Sequence, residues 1–336
     1  MHKLSGKRIF SGIQPTGIPH IGNYLGAIRH WVELQNANEC LFCLVDMHAI
    51  TVWQEPHLLK TQIIEQTAVL MACGIDPKKH ILFNQSAVHA HARLAWIFNC
   101  VSRVGWMNRM TQFKDKAGKN REAYSAGLYV YPNLMAADIL VYQATYVPVG
   151  EDQRQHIELT NDIAQKFNHD YKVDFFREVK GVIPEISARV MNLRDGSKKM
   201  SKSDPSEQGR ITLLDTDDDI ALKIRKAKSD AEPLPFEKNE LDRRLEAKNL
   251  ISMYSVLAQQ PIENVLKDFG GKGFAALKLA LTDIVIEIIS PIRKETHHLL
   301  NDSQYILNIL RSGAEKASAI ANPIIEKVES LVGYVK

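Results

Sequence analysis

The chain has 336 residues, 45% apolar and 24% charged, with a formal net charge of +3. That balance excludes a disordered or low-complexity chain and supplies enough apolar surface for a core. At ~150 residues per domain the length predicts two domains. The slight basic excess permits contact with nucleic acid without demanding it. No apolar run approaches the ~20 residues of a membrane span, so no membrane segment is expected.

Residues 1–8 are basic but lead into Gly- and Pro-rich turns, which predicts no secretory leader. A strand is predicted over 7–13. An amphipathic helix follows over 20–35, with Leu25, Ile28, Trp31 and Val32 on one side. Residues 40–45 read as a buried strand. Residues 56–73 read as a helix opened by Pro56 and stopped at Gly74. A strand over 80–84, a helix over 91–101, a short strand over 147–149 and a helix over 152–167 complete an alternating series. Strands spaced by helices predict a parallel sheet in an α/β fold, with ligands at the carboxyl ends of the strands. Residues 195–208 are rich in Lys, Ser, Asp and Gly and read as a mobile loop. From residue 215 onward only helical periodicity is found, with breaks expected at 233–235, 270–273, Pro291 and Pro323.

The four cysteines, Cys40, Cys43, Cys73 and Cys100, do not fall at disulfide-framework spacing, so a reducing cytoplasm is expected. Cys40 and Cys43 form one C-x-x-C inside the predicted strand. With no further ligands at zinc-site spacing they read as packing residues, and no protein metal site is expected.

Two segments carry chemistry. In the first, a strand runs into Gly12-Ile13-Gln14-Pro15-Thr16-Gly17, and a helix then opens with His20-Ile21-Gly22-Asn23. Glycines let the backbone approach a ligand, and a helix N-terminus suits phosphate. His20 and Asn23, three apart, share a face and can both donate hydrogen bonds. Alone, this segment is equally an ordinary strand–turn–helix corner with a surface histidine; it is neither G-x-G-x-x-G nor a P-loop. The second segment is Lys198-Lys199-Met200-Ser201-Lys202-Ser203. Its lysines on a loop suit a polyphosphate that the loop closes upon, although a solvated basic loop has the same composition.

Together the two resemble the paired signatures of class I aminoacyl-tRNA synthetases: the HIGH element as His20-Ile21-Gly22-Asn23, and a full KMSKS match at residues 199–203. Asn23 departs from the second histidine of the general pattern in the manner usual for the tryptophanyl branch. Residues 10–24, 131–140 (YPNLMAADIL) and 150–159 (GEDQRQHIEL) resemble bacterial-type tryptophanyl-tRNA synthetase in particular; 46–49 and 110–114 also fit. The likeness is dense to Ser203 and thinner through 211–214 and 271–274.

The resemblance implies a Rossmann-type parallel-sheet catalytic domain with an all-helical second domain. Its division would be residues 1–190, catalytic and including dimer-interface helices; 191–292, the KMSKS loop and a helical anticodon-binding domain; and 293–336, C-terminal helices packing back on the first. It implies activation of L-tryptophan by ATP to tryptophanyl adenylate and pyrophosphate, then transfer to the 3′-terminal adenosine of tRNA(Trp), in a homodimer. Catalytic roles would fall to His20, Lys199 and Lys202. ATP would meet Gln14, Pro15, Thr16, Gly22, Asn23, Gly150, Glu151, Asp152, Val190, Lys199, Met200, Ser201, Lys202 and Ser203, with Mg2+ held by phosphates and water.

Tryptophan would meet Phe10, His48, Tyr131, Met135, Asp138, Ile139, Val147, Val149 and Gln153. Asp138 would accept the indole N–H, and Tyr131 and Gln153 would hold the ammonium and carboxylate. Lys223, Arg225, Lys226, Lys228, Arg243, Arg244 and Lys248 are candidates for tRNA backbone contacts, which position without specifying; helices over 96–109 are candidates for the dimer surface. A tyrosyl enzyme, a small-molecule adenylyltransferase and a non-charging sensor of tRNA or tryptophan remain open as alternatives.

Overall fold

A computed structural model describes residues 5–110, 125–182, 189–202 and 204–335. The first strand, β1 (Arg8–Ile13), leads to a helical stretch whose parts are α1 (Ile21–Asn23), a π-helical segment (Tyr24–Ile28) and α2 (Arg29–Leu34). Then come β2 (Glu39–Leu44), α3 (Asp46–Ala49), α4 (Pro56–Ala72), β3 (Ile81–Asn84), α5 (Ala90–Val101), α6 (Val104–Arg109) and α7 (Ala126–Leu140). The series continues with β4 (Tyr146–Pro148), α8 (Arg154–Asp170) and β5 (Lys180–Val182). The remainder is helical: α9 (Asp217–Arg225), α10 (Leu245–Leu257), α11 (Ile262–Phe269), α12 (Phe274–Leu300) and α13 (Ser303–Leu331).

The strands form one five-stranded sheet in the order β3-β2-β1-β4-β5, every pairing parallel. The order reverses between β1 and β4, which opens a crevice at their carboxyl ends. Period-two alternation divides the sheet's side chains between two layers. Ile9, Cys40, Phe42, Leu44 and Leu82 face one core, and Phe10, Leu41, Cys43, Val45 and Phe83 the other. Cys40 and Cys43, three apart on a strand, therefore point to opposite faces and cannot chelate one ion. The first core continues into the helical part through Ile220, Ile224, Leu250, Ile251, Leu277 and Leu281.

Two expected breaks are absent. Pro291 lies inside α12 and Pro323 inside α13. An interior proline costs a helix ~3 kcal/mol, but the buried stripe runs straight past both: Val285, Ile289, Ile292 and Thr296 in α12, and Ala321, Ile325 and Val328 in α13. Burial of that stripe outweighs one lost hydrogen bond. The expected division between 292 and 293 accordingly falls within one continuous helix. Helix α13 returns across the sheet and lies on β3, α4 and α5, where Arg93 Nε donates to Glu329 at 2.8 Å. β5 was not expected, since its Lys-Gly-Val carries no alternation and forms only through its register with β4.

Candidate active site

The crevice between β1 and β4 collects both chemical segments. After β1 the chain turns through Gln14, Pro15 and Thr16 and caps α1 with His20, whose backbone N–H donates to Asn23 Oδ1 at 3.0 Å. That bond occupies the amide oxygen of Asn23 and fixes its N–H2 end as the one available to an anion. His20 is buried, and a Cβ on Gly22 would lie 2.9 Å from its ring, so only glycine lets this imidazole sit against the first helical turn. Burial, then the charges of Lys202, Lys199 and Arg210, push His20 down to about 4. The ring is neutral at pH 7, and its buried Nδ1 has no hydrogen-bond partner among the described residues.

The basic segment lies beside this turn. Lys202 Nζ is 3.3 Å from the Gln14 carbonyl oxygen and 3.4 Å from Gln66 Oε1, and burial pushes its ammonium down to about 8. Met200 is buried, and its N–H donates to the Val190 carbonyl at 3.1 Å. Lys199 pairs by a backbone bridge with Met191 while its side chain is exposed. The loop expected from composition is thus an irregular excursion pinned at its centre by an apolar side chain. Backbone bonds also join the two halves: Ile21 N–H to Ile211 O and Leu213 N–H to Pro19 O, both 2.8 Å. Residues 20–23 and 199–202, distant in sequence, flank one space.

From β4 the chain passes Gly150 into a single 3-10 turn, Glu151–Gln153, that opens α8. Glu151 forms an exposed ion pair with Arg154 at 2.9 Å. Ser203 and the side chain of Asp152 lie outside the described residues, as do residues 111–114.

On the other face of the sheet Phe10, Ile139, Val147 and Val149 share one buried cluster, with Met135 at its margin. Tyr131 donates to or accepts from His156 Nε2 at 2.9 Å, and burial lifts its phenol to about 12, so the hydroxyl keeps its proton. His48 meets the Tyr131 ring edge-on at 6.0 Å. Asp138 is 1% exposed and holds three partners: His48 Nε2 at 2.8 Å on Oδ2, and Gln85 Nε2 and His91 Nδ1, each at 2.6 Å, on Oδ1. Burial alone would raise this carboxyl, but the two histidines overcome it and hold it below the usual range. A carboxylate has about four lone-pair sites; three are filled, and the fourth is on Oδ2.

Sequence reasoning did not find Gln66, Gln85, His91 or Tyr142. An aspartate in an apolar helix signals that donors must exist, but nothing local says which residues supply them.

The basic set of the helical part divides. Lys223 is buried and paired with Asp215; Lys228 pairs with Glu246 at 2.7 Å, Lys248 with Asp242 at 2.7 Å, and Arg244 with Asp230. Of those four, Lys228 and Lys248 keep exposed side chains within their pairs. Arg225, Lys226 and Arg243 remain exposed. On α5 and α6, Trp96 and Val104 are 63% and 69% exposed.

Comparison with known proteins identifies the family. The family model for tRNA synthetases class I (W and Y) matches residues 5–290. The tryptophan–tRNA ligase of Brucella melitensis is 53% identical over 98% of each chain, and that of Caulobacter vibrioides is 52% identical over 97% of this chain and 95% of the relative. Among solved structures, the tryptophanyl-tRNA synthetase of Mycoplasma pneumoniae matches with a TM-score of 0.88 at 32% identity, covering 98% of both chains. That of Campylobacter jejuni, complexed with ADP and tryptophan, matches with 0.81 at 31%, covering 97% of this chain and 100% of the other. A tyrosyl-tRNA synthetase from Aeropyrum pernix, 18% identical with a TM-score of 0.70, shares the fold.

Proposed function

The chain belongs to the class I tRNA synthetases of the W and Y group, and on that premise we propose the residue roles by which it acts as a tryptophan–tRNA ligase. It activates tryptophan with ATP, expelling pyrophosphate, and passes the tryptophanyl group to tRNA. The observation that carries the site assignment is the seating of Lys202 on the Gln14 turn beside His20.

The tryptophan carboxylate attacks the α-phosphorus of ATP; the bond to the bridging oxygen breaks and pyrophosphate leaves with its charge. Such chemistry needs positioning and charge neutralisation more than covalent help. Neutral His20 and the Asn23 amide donate to phosphate oxygens at the N-terminus of the first helical stretch, while Lys199 and Lys202 neutralise the leaving pyrophosphate. Gly22, Val190, Met200 and the backbone of Gly150 and Asp152 enclose the nucleoside. Magnesium would be carried by phosphate oxygens and water, sharing the same charge.

Phe10, Met135, Ile139, Val147 and Val149 wall the indole, and Oδ2 of Asp138 accepts its N–H. Tyr131 and Gln153 hold the amino-acid head. The exposed Arg225, Lys226 and Arg243 are offered to the tRNA backbone, and the exposed apolar residues of α5 and α6 to a second copy of the chain. The three-part division at 190 and 292 is kept as a division of labour. No described helix is long and apolar enough to cross a membrane, and the cytoplasm is the compartment proposed.

ATP–pyrophosphate exchange tests the assignment. Exchange is expected with tryptophan and not with tyrosine, and exchange with tyrosine alone overturns it. Asp138→Asn is expected to weaken tryptophan more than ATP and to erode the preference over phenylalanine, because a site built to bond a substrate N–H rejects an analogue lacking it by roughly 10⁴–10⁵-fold.

A further inference from the structure

We infer that His91, anchored by Tyr142, is a positioning residue for indole recognition: it holds Oδ1 of Asp138 so that Oδ2 is the oxygen presented to the substrate. The inference rests on the tryptophan-activating reading above and names residues whose polar atoms bond to Asp138 and to each other.

The imidazole of His91 is completely buried and makes two bonds, Nδ1 to Asp138 Oδ1 at 2.6 Å and Nε2 to the Tyr142 hydroxyl at 2.7 Å. Tyr142 is also completely buried, and burial lifts its phenol well above the usual range, so it keeps its proton. The Asp138 carboxylate can only accept, so Nδ1 of His91 carries the hydrogen of that bond, and the Tyr142 hydroxyl anchors Nε2 at the far side of the ring. Stacking on Phe10 at 5.8 Å and edge contact with Phe83 at 5.8 Å keep the Tyr142 ring in place. Gln85 Nε2 takes the second site on Oδ1. That oxygen is then saturated, and rotation of the carboxylate would break two charge-assisted bonds, which are the stronger kind. On Oδ2 only His48 is bound, which leaves one acceptor site on that oxygen for the indole N–H, beside the apolar cluster of Phe10, Ile139 and Val147 proposed to wall the ring.

A role confined to packing predicts something different from a role in aiming the acceptor. Loss of packing lowers activity with any amino acid that fits. Loss of aim lowers activity only with an amino acid that donates an N–H. The probe is β-(3-benzothienyl)alanine, which has the shape of tryptophan with sulfur in place of the indole N–H. Its kcat/KM in ATP–pyrophosphate exchange is compared with that of tryptophan in the full-length protein.

In the unsubstituted protein tryptophan is expected to be strongly preferred. In His91→Leu, kcat/KM for tryptophan is expected to fall roughly 10- to 100-fold, the range for losing a hydrogen bond to a charged group, through KM. The analogue and ATP should change by less than about 3-fold, within the effect of a packing adjustment. His91→Asn, whose amide nitrogen can occupy the place of Nδ1, is expected to recover most of the preference. Tyr142→Phe removes one oxygen and is expected to lower the preference by a smaller factor; it decides the matter should His91→Leu fail to fold. Parallel loss with both amino acids, or an unchanged preference in Tyr142→Phe and His91→Leu, overturns the inference. Absence of any preference in the unsubstituted protein overturns the indole–Asp138 contact itself.

Discussion

Lys202 and His20 show how burial sets charge at single residues. Two centres of like sign beside one space would repel if both were charged. Burial and the nearby lysines keep His20 neutral down to about pH 4, and the Lys202 ammonium is lowered to about 8. A lysine is charged below its pKa, so the free protein loses this charge as pH rises through about 8. Bound phosphate stabilises the charged form and moves the transition upward. The kcat/KM for ATP is thus expected to decline above about pH 8, with the limb in kcat at higher pH, since the first reports the free enzyme and the second the complex. Lys202→Arg, always charged, should lose the limb; a limb that persists assigns it elsewhere. Lys202→Ala should cut adenylate formation by orders of magnitude while tryptophan binding, read by calorimetry, barely changes. Equal loss of both would show that Lys202 supports the fold and not the reaction.

The helices depart most from the reading of composition. A proline suggests an end, yet α12 and α13 pass through Pro291 and Pro323, because the apolar stripe on either side is buried against other elements. Where α13 crosses the sheet, contact is so close that a Cβ on Gly313 would stand 1.9 Å from the Leu82 carbonyl oxygen. The obstacle is backbone of β3 and cannot swing aside. Gly313→Ala should therefore destabilise by about 1–3 kcal/mol, as overpacking does, and lower the melting temperature by several degrees. An unchanged melting temperature would mean that α13 can lift off β3. The basic cluster of the helical part was legible as a set of charges, but its partners were not: Asp215, Asp230, Asp242 and Glu246 neutralise four of its members.

For the molecule as a whole, the proposed nucleotide site is assembled from both halves. Gln14 and His20 come from the turn and helix start after β1, Lys202 from the basic segment far along the chain, and backbone bonds from Ile211 and Leu213 close the arrangement. Ligands that bind only this assembled state stabilise it by mass action, about 2.7 kcal/mol at a hundredfold excess over Kd. ATP with tryptophan is expected to raise the melting temperature as one cooperative transition. Two separate transitions, with only the first shifted by ligand, would show that the halves melt independently and that the site belongs to one alone.

What residue order determined by itself is local or recurrent. Alternation and helical periodicity are properties of neighbours, so β1, β2, α4, β3, α5 and α8 were readable in place. The H-I-G-N and K-M-S-K-S segments were readable as strings, and they carried the family. The tertiary structure alone decided which distant groups meet. Asp138 finds His48, Gln85 and His91 because parallel crossovers bring the carboxyl ends of β2 and β3 and the start of α5 against α7. A hydrogen bond depends on separation in space, to which spacing along the chain is no guide. Asp138 was therefore visible in the sequence as a buried carboxylate in need of donors, and the residues that supply them were not.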